Sequence, residues 1–299
     1  MSEYHIPVLL EQSVSGLVTN PDGIYADATF GGGGHTAAIL SRLHDGGSVI
    51  AFDRDIDAIN NAAKDPRLTL VHNNFRFIEN YARHLGVRFD GILADLGVSS
   101  HQFDTAERGF SFRFEDAPLD MRMNKEAKLT AADVVNSYPE EDLERILRLY
   151  GEVENARQIA RLIKAADGIR TTGDLDRAIE KALPRNAEHK ALARIYQALR
   201  IEVNQEMRSL EKFLEGATAS LREGGRLVVI TYHSLEDRMV KNYIKTGNVD
   251  GVEKKDTFGR VSAPLEAVNR KPIVPEESEI ALNTRARSAK LRIAGRVAL

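Results

Sequence analysis

Short apolar runs, separated by polar and glycine-rich segments, dominate the first third of the chain. Four of these runs predict β-strands, at residues 24–29, 48–52, 68–72 and 89–94. Apolar residues at helical spacing lie between them, near residues 35–44 and at Ile56 and Ile59. Strands that alternate with helices at this spacing predict a parallel α/β sheet.

The pattern changes after about residue 104. As far as residue 200 we find no convincing strand pattern, and apolar residues recur at helical spacing instead. Three helices are predicted, and Thr172 is the predicted N-cap of the third. Their apolar positions are Leu143, Ile146, Leu147 and Tyr150, then Ile159 and Ile163, then Leu175, Ile179 and Leu183.

Strand patterns return in the last third of the chain. A strand is predicted at 226–232, after a turn at Gly224–Gly225, and two weaker ones at 272–274 and 289–293. The simplest architecture is one α/β domain with an all-helical insertion after its fourth strand. The predicted α/β domain is discontinuous, with residues 1–104 and 201–299, and the insertion covers residues 105–200.

Composition excludes several classes of protein. The 299 residues carry a net charge of −3, so nucleic-acid binding must depend on local patches. The chain has no cysteine, which excludes disulfides, thiolate catalysis and cysteine-based zinc sites, and its 8 histidines show no metal-ligand spacing. We find neither a signal peptide nor an apolar run of the roughly 18 residues that cross a bilayer. We expect a cytoplasmic protein without a metal or a membrane partner.

A run of four glycines stands where the first predicted strand turns into the first helix. Gly31 to Gly34 follow Asp27 and precede His35. Glycines at such a turn let the backbone approach a ligand closely, and the start of a helix offers unpaired N–H groups. A tight turn with no ligand explains the same run equally well.

Asp53 ends the second predicted strand, about 20 residues after the glycines. Nucleotide-binding α/β folds place an acidic residue there to bind the ribose hydroxyls. The alternative is a helix N-cap, because Asp55 and Asp57 lie close by. Taken together, the glycine run and Asp53 favour a site for a ribose-containing cofactor.

Two common nucleotide sites fit the glycine run poorly. A P-loop requires Gly-Lys-Ser/Thr, whereas Gly34 is followed by His35 and Thr36. Thr36 also occupies the third glycine position of the dinucleotide fingerprint, so an NAD enzyme is disfavoured. S-adenosylmethionine has a ribose and an adenine but no phosphates. It therefore needs the glycines and the acid without a phosphate cradle.

Sheet geometry predicts a single crevice for these residues. With the strand order 3-2-1-4, the order reverses between strands 1 and 4, where such sheets bind ligands. The glycine run, Asp53, Asn74–Phe75 and Asp95 would then lie around one crevice. Phe75 would flank the adenine, or it would be a core phenylalanine that opens a helix.

The fourth strand leads into the polar run Asp95–Asp104, and polar loops after buried strands often carry reactive groups. The run begins Asp-Leu-Gly-Val-Ser-Ser, which resembles the signature of the RsmH (MraW) family of ribosomal RNA cytosine-N4 methyltransferases. The resemblance covers nearly the whole chain. The other matching segments are His5–Val14, Asp27–His35, Phe52–Asp55, Glu107–Phe112, Pro118–Met123, Gln197–Ile201, His233–Arg238 and Arg285–Arg292.

The resemblance implies a Rossmann-like methyltransferase domain with a helical substrate-recognition domain. It implies S-adenosylmethionine as cofactor and 16S rRNA, within the small ribosomal subunit, as substrate. The methylated group would be the N4 amine of a cytidine in the decoding region. The implied cofactor contacts are Gly33, Gly34, His35, Asp53, Phe75, Asp95 and Gln102. The chain departs from the family pattern at His101, Phe103 and Thr284, and the first two flank Gln102.

The chemistry of amine methylation indicates what the loop must supply. The methyl group of a sulfonium is already activated, so the enzyme mainly aligns the nucleophile with it. The N4 lone pair is delocalised into the ring, and hydrogen-bond acceptors on its two hydrogens would favour the pyramidal nitrogen of the transition state. Asp95 and Ser99 are the predicted catalytic residues.

Candidate RNA-binding residues lie in three places. Arg108, Phe110, Phe112 and Arg113 interleave basic and aromatic side chains, which suits unstacked bases, although they would equally anchor the insertion. His233 follows the returning strand and would contact the target base or its phosphate, or pack in the core. Ser234 and Asp237 fit a capping-box pattern.

The chain terminus is the third place. Its last residues include five basic side chains and no acidic one, which suits phosphates. Arg285 and Arg287 are the predicted RNA contacts, and a solvated strand face is the alternative. The remaining basic residues of this segment are Lys290, Arg292 and Arg296.

Two other functions remain open from the residues alone. One is methylation of another amine, in DNA or protein, and the other is a non-catalytic ribosome-assembly factor with a vestigial pocket. The intact glycine run, Asp53 and Asp95 argue against a vestigial pocket. The sequence does not indicate an oligomeric state.

Overall fold

The computed structural model forms two compact units of different composition. One unit comprises Met1–Gly97 and Met207–Leu299, and the other comprises Val98–Glu206. His5 and Ile6, which belong to the segment His5–Val14, lie outside the described residues. The structure describes residues 7–60, 62–114, 116–255, 259 and 262–298.

The first unit is built on a seven-stranded sheet of order β3-β2-β1-β4-β5-β7-β6. The strands from β3 to β5 pair in parallel, whereas β7 is antiparallel to both β5 and β6. The predicted order 3-2-1-4 is confirmed, as is the Rossmann-like α/β class. The strands are β1 Ile24–Asp27, β2 Ser48–Asp53, β3 Leu68–His72, β4 Phe89–Asp95, β5 Leu221–Thr231, β6 Leu265–Ala267 and β7 Lys290–Arg296.

Helices cover both faces of the sheet and form the second unit. None of those in the described ranges combines the length and apolar character that crossing a membrane requires. The helices are α1 Leu10–Leu17, α2 Gly34–Leu40, α3 Ile56–Asn60, α4 Ile78–Leu85, α5 Ser100–Asp104, α6 Ala131–Ser137, α7 Glu140–Gly151, α8 Ala156–Ala165, α9 Thr172–Ile179, α10 Glu188–Asn204, α11 Glu206–Ser220, α12 Ser234–Thr246 and α13 Glu277–Leu282.

Burial on both faces explains why the central strands are almost continuously apolar. In β4, Ile92 packs with residues of α4, α11 and α12, such as Phe213. The next residue, Leu93, faces the opposite layer, where it packs with Leu17 of α1 and Ile39 of α2. The two faces fix the register of β4, because a slip by one residue would exchange them.

The second unit has a core of its own. The predicted apolar positions of α7, α8 and α9 are buried there, among them Leu143, Ile159 and Leu175. Thr171, and not the predicted Thr172, is the N-cap of α9, because its hydroxyl accepts the Asp174 N–H and Asp174 closes the capping box. Helix α9 ends at Ile179, and Leu183 follows a short 3₁₀ turn.

The later strands differ from the prediction in detail. Gly224 and Gly225 lie within β5, which begins at Leu221 and pairs irregularly with β4 near its start. Residues 272–274 form no strand, and Ile273 makes a single bridge to Leu291 of β7. Strand β6 was not predicted, because its three residues carry too short a pattern.

Candidate active site at the carboxyl edge of the sheet

The carboxyl ends of β1, β2 and β4 bring three acidic residues to the edge where the strand order reverses. Asp27 ends β1, Asp53 ends β2 and Asp95 ends β4. Two loop hydrogen bonds extend the ladders beyond the strands: Ala28 N–H donates to Leu93 O at 2.8 Å, and Phe30 N–H donates to Phe52 O at 2.8 Å. The acids and the glycine loop are thereby held on one rigid edge.

The glycine loop needs its glycines for reasons of conformation and space. Gly33 has φ +77°, and a Cβ there would lie 2.8 Å from Phe30 Cζ. A Cβ on Gly34 would lie 2.2 Å from Pro7 Cγ. By contrast, a Cβ on Gly32 would meet no atom of the described residues within 4 Å. The loop is therefore packed against the protein at Gly33 and Gly34 and open at Gly32.

Asp53 organises the glycine loop directly. Its Oδ2 accepts the Gly31 N–H at 2.8 Å, and its Oδ1 accepts the Asp55 N–H at 2.8 Å. Burial raises the pKa of Asp53, and these two hydrogen bonds oppose the increase. Each carboxylate oxygen has a further lone pair, so Asp53 can also accept hydrogen bonds from a diol.

Asp27 fixes the opposite side of the same loop and is fully buried. Its Oδ2 accepts the Thr36 hydroxyl at 2.6 Å, and its Oδ1 accepts the Thr29 N–H at 3.0 Å. Burial raises the pKa of Asp27, although His35 and these donors favour the charged form. Thr29 and Thr36 flank the glycine run, so Asp27 holds both ends of it.

Asp95 lies close to a phenol and to an imidazole. The Tyr232 hydroxyl donates to Asp95 Oδ1 at 2.8 Å, and His35 Nδ1 lies 3.7 Å from Oδ2. Burial raises the pKa of Asp95 to about 6, while His35 and Tyr232 oppose the increase and Asp27 adds to it. The side chain keeps 23% of its surface exposed, so it can accept a hydrogen bond or a proton from a ligand.

His35 lies at the start of α2 and is only 5% exposed. Its Nδ1 faces Asp95, and in the described part of the chain its buried Nε2 has no hydrogen-bond partner. A buried ring nitrogen without a partner is costly in free energy. A polar group from a bound ligand would remove that cost.

Phe75 opens a 3₁₀ turn immediately after β3 and is capped by Asn74. Its ring meets Phe213 edge to face, with the ring centroids 5.2 Å apart. The Arg54 guanidinium carbon lies 5.5 Å from the Phe75 ring centroid. The core and the adenine interpretations both remain, because Phe75 is only partly buried.

Ser99 and Gln102 belong to the helical unit. Ser99 is the N-cap of α5, and its hydroxyl accepts the Gln102 N–H at 3.2 Å. In return, Gln102 Oε1 accepts the Ser99 N–H at 3.3 Å. Both side chains therefore have a structural task, and their predicted roles toward substrate and cofactor stay predictions.

The basic and aromatic segment of the helical unit divides into buried and exposed members. Arg108 and Phe110 are each 5% exposed, and Arg108 Nη2 donates to the carbonyls of Arg122 and Met123, each at 3.0 Å. These two residues anchor the segment. Arg113 is exposed, and its guanidinium carbon lies 5.6 Å from the Phe103 ring centroid.

Phe112 lies between these extremes, since it is partly buried in the core of the helical unit. Its ring meets Tyr196 edge to face, with the centroids 5.5 Å apart, and it lies 5.8 Å from the His189 ring. Phe114, two residues later, is 36% exposed. Arg113 and Phe114 are therefore the accessible members of the segment.

His233 is the N-cap of α12, and its side chain makes no capping hydrogen bond. Its Nε2 lies 3.1 Å from Oε1 of the buried Glu236. The capping box predicted for Ser234 and Asp237 is wrong, because the helix begins one residue earlier in register and Asp237 pairs elsewhere. Asp237 Oδ1 accepts the Arg292 Nε–H at 2.7 Å.

The basic residues of the last segment are largely paired. Lys290 Nζ lies 3.3 Å from Asp237 Oδ2, and Arg296 donates to Pro264 O at 3.0 Å. Fewer than the five basic side chains predicted for this segment are therefore available to bind phosphates. Arg287 is exposed and Arg285 is partly exposed in the 3₁₀ turn Thr284–Ser288, so they are the more accessible pair.

Tyr232 and Glu236 lie at this edge and were not predicted as site residues from the sequence. Tyr232 is the last residue of the strand predicted at 226–232, and the residue that ends a strand beside β4 is a candidate by position alone. Glu236 Oε2 accepts the Tyr232 N–H at 2.9 Å. That contact depends on the start of α12, which the sequence pattern did not locate.

Comparison with known proteins identifies the family. A model of the MraW methylase family matches residues 2–297. The chain belongs to the MraW methylase family. A family member from Bacteroides thetaiotaomicron, named ribosomal RNA small subunit methyltransferase H, is 57% identical over 295 residues, which cover 97% of each chain. The protein of the same name from Bacteroides fragilis is 58% identical over 295 residues, again 97% of each chain.

A solved structure of an rRNA methylase from Streptococcus thermophilus aligns with a TM-score of 0.43 and 14% identity, covering 99% of this chain and 100% of that one.

Membership of the MraW methylase family makes the protein a methyltransferase that uses S-adenosylmethionine. The family resemblance found in the sequence is thereby confirmed.

The residues at the carboxyl edge fit this cofactor chemically. A sulfonium cation suits an edge that carries three acids, and a ribose diol suits the spare lone pairs of Asp53. Among the described residues, the space in front of Gly32 is open and His35 Nε2 has no hydrogen-bond partner, which indicates room and a polar contact for a ligand.

Proposed function

We propose that the protein transfers a methyl group from S-adenosylmethionine to the N4 amine of a cytidine in the decoding region of 16S rRNA, within the small ribosomal subunit. The names of relatives at 57% and 58% identity support the ribosomal RNA substrate. The observation that carries the chemistry is Asp95, a partly exposed acid at the switch point of the sheet. Such a substrate implies a cytoplasmic enzyme.

The bound cofactor would supply an activated methyl group on its sulfonium sulfur. The residues proposed to hold it are Gly33, Gly34 and His35 of the glycine loop, Asp53 for the ribose hydroxyls and Phe75 beside the adenine. Asp95 and Gln102 complete the proposed set. The protein would contribute mainly alignment, because direct transfer requires the nucleophile, the methyl carbon and the sulfur to lie in line.

Asp95 has the chemistry that a weak amine nucleophile requires. Its carboxylate would accept a hydrogen bond from N4–H and favour the pyramidal nitrogen of the transition state. With the cofactor held by the residues named above, the N4 electron pair would form the new C–N bond, and the electron pair of the C–S bond would stay on the sulfur of the cofactor. With a pKa of about 6, Asp95 is mostly ionised at neutral pH and can accept the N4 proton before passing it to water.

The helical unit is proposed to recognise the RNA. Arg113 and Phe114 are exposed and pair a cation with an aromatic ring, which suits an unstacked base and its phosphate. Ser99 is proposed to assist Asp95 at the target amine. In the α/β unit, Arg285, Arg287 and His233 are the proposed RNA contacts.

A methyl-transfer assay tests the proposal. Small ribosomal subunits that lack the modification are incubated with labelled S-adenosylmethionine, and the digested nucleosides are identified by mass spectrometry. We expect new N4-methylcytidine with the native protein. A label on another nucleoside, on protein or only on DNA would refute the proposed acceptor. Binding without transfer to any acceptor would favour an assembly factor.

Matched variants test the role of Asp95. Asp95→Asn keeps the shape but removes the charge, and we expect the single-turnover rate to fall at least about 100-fold, within the usual range for a general base. Asp90→Asn, near the opposite end of the same strand, is the control and keeps the native rate. An Asp95→Asn protein that binds the cofactor and reacts at the native rate excludes this role.

A further inference from the structure

Tyr232 makes a direct contact with the proposed catalytic carboxylate. It follows the last residue of β5, and β5 pairs with β4 so that Asp95 lies opposite Ile230. Leu96 N–H donates to Ile230 O at 3.0 Å, which extends this pairing past the strand end. The Tyr232 hydroxyl therefore reaches Asp95 Oδ1 at 2.8 Å from a backbone that the sheet holds in place.

The Tyr232 backbone is fixed from the other side as well. Its N–H donates to Oε2 of Glu236 at 2.9 Å, and Glu236 is only 3% exposed. A Cβ on Gly97, which has φ +100°, would lie 3.5 Å from Tyr232 Cδ2, so the ring also lies close to the loop after β4. The hydroxyl is thus directed at Asp95 by contacts on two sides.

The two oxygens of Asp95 have different surroundings. Oδ1 accepts the Tyr232 hydroxyl, whereas Oδ2 lies 3.7 Å from His35 Nδ1, which is longer than a hydrogen bond. We propose that Tyr232 is a positioning residue that orients the Asp95 carboxylate so that Oδ2 faces the target amine. This inference depends on the role of Asp95 in the proposed function.

Tyr232 also affects the ionisation of Asp95. The groups that act on the carboxylate are His35 from α2, Tyr232 after β5, Asp27 from β1 and Glu236 from α12. Burial raises the pKa of Tyr232 well above its usual value, and Asp95 adds to the increase, so the phenol stays a neutral donor. Without its hydroxyl, the repulsion from Asp27 and Glu236 would remain, and the pKa of Asp95 would rise above about 6.

Tyr232→Phe tests the inference through the pH dependence of the single-turnover rate. We expect the acidic limb of the profile to move up by about one pH unit, the usual order for the loss of one hydrogen bond to a charged group. At pH 6 the variant would then be several-fold slower than the native protein, and the two rates would converge as the pH rises above 8. Calorimetric binding of S-adenosylhomocysteine should change little.

Tyr25→Phe is the matched control, because it also removes a phenol hydroxyl. Tyr25 is buried, and its hydroxyl donates to Asn20 O at 2.9 Å, away from Asp95. It should lower the melting temperature without moving the profile. A Tyr232→Phe profile that is lowered equally at every pH, or not shifted, overturns the positioning role. Asp95→Asn distinguishes the two proposals. Full activity of Asp95→Asn refutes the role of Asp95. If Asp95→Asn is inactive and the pH profile of Tyr232→Phe is not shifted, only the role of Tyr232 is refuted.

Discussion

Adjacent glycines of the loop should respond differently to the same substitution. Gly33→Ala places a residue with a Cβ at φ +77°, which costs about 1–2 kcal/mol. The new Cβ would also lie 2.8 Å from Phe30 Cζ, and overpacking of this kind costs about 1–3 kcal/mol. We therefore expect Gly33→Ala to lower the free energy of unfolding by about 2–5 kcal/mol.

Gly32→Ala should leave stability nearly unchanged, within about 0.5 kcal/mol, because its Cβ meets no atom within 4 Å in the part of the chain that the structure describes. The methyl group would instead occupy space that we assign to the cofactor. We expect its affinity for S-adenosylhomocysteine to fall at least about tenfold, which corresponds to about 1.4 kcal/mol.

Denaturant unfolding measures the first effect, and titration calorimetry measures the second. Gly86→Ala is the control, because Gly86 also has a positive φ, +67°, and among the described residues no atom would lie within 4 Å of its Cβ. It should lose about 1–2 kcal/mol for the same backbone conformation and bind the cofactor normally. Equal unfolding midpoints for Gly33→Ala and the native protein would refute the packed loop, and native affinity in Gly32→Ala would refute the assigned space.

Three further results are expected. Asp237→Asn leaves Arg292 without its carboxylate partner and should lower the free energy of unfolding by about 3 kcal/mol, measured by thermal unfolding. Because Arg292 and Lys290 lower the pKa of Asp237, this contribution is present above about pH 4 and is lost as the pH falls further. An unchanged midpoint of acid unfolding in the variant would contradict this prediction. Arg287→Ala should weaken binding to small ribosomal subunits and reduce the salt dependence of that binding, and native affinity with an unchanged salt dependence would refute a phosphate contact at Arg287. Ser99→Ala and Thr130→Ala each lose a capping box worth about 1 kcal/mol, but only Ser99→Ala should slow methyl transfer.

The central strands were predictable because both of their faces are buried. A strand in that position, such as β4, is an apolar run that ends at a polar residue, and Asp95 is visible as the residue that ends it. The start of β5 was not predictable in the same way. Gly224 and Gly225 are typical of a turn, yet they lie inside the strand because its pairing with β4 is irregular there.

The site was predictable as a set of positions but not as a set of contacts. Strand ends place Asp53 and Asp95 on one edge whatever their rotamers are. The contact of Tyr232 with Asp95 depends on the pairing of strands far apart in the sequence and on one rotamer, and neither has a local signature. Arg108 shows the same limit, because alternating basic and aromatic residues are compatible with both an exposed surface and a buried anchor.

Insertion of the helical unit between β4 and β5 has a consequence for biosynthesis. A ribosome that has released residues up to Gly97 has produced β1 to β4, so β4 can pair with β1, while β5, its neighbour on the other side, is still untranslated. Until β5 emerges, β4 is an open edge with unpaired backbone groups, and such edges promote aggregation. The helical unit, whose contacts are more local, can fold during this interval. The nascent chain therefore completes its second unit before its first, and chaperone dependence should be greatest while Val98–Glu206 is being synthesised.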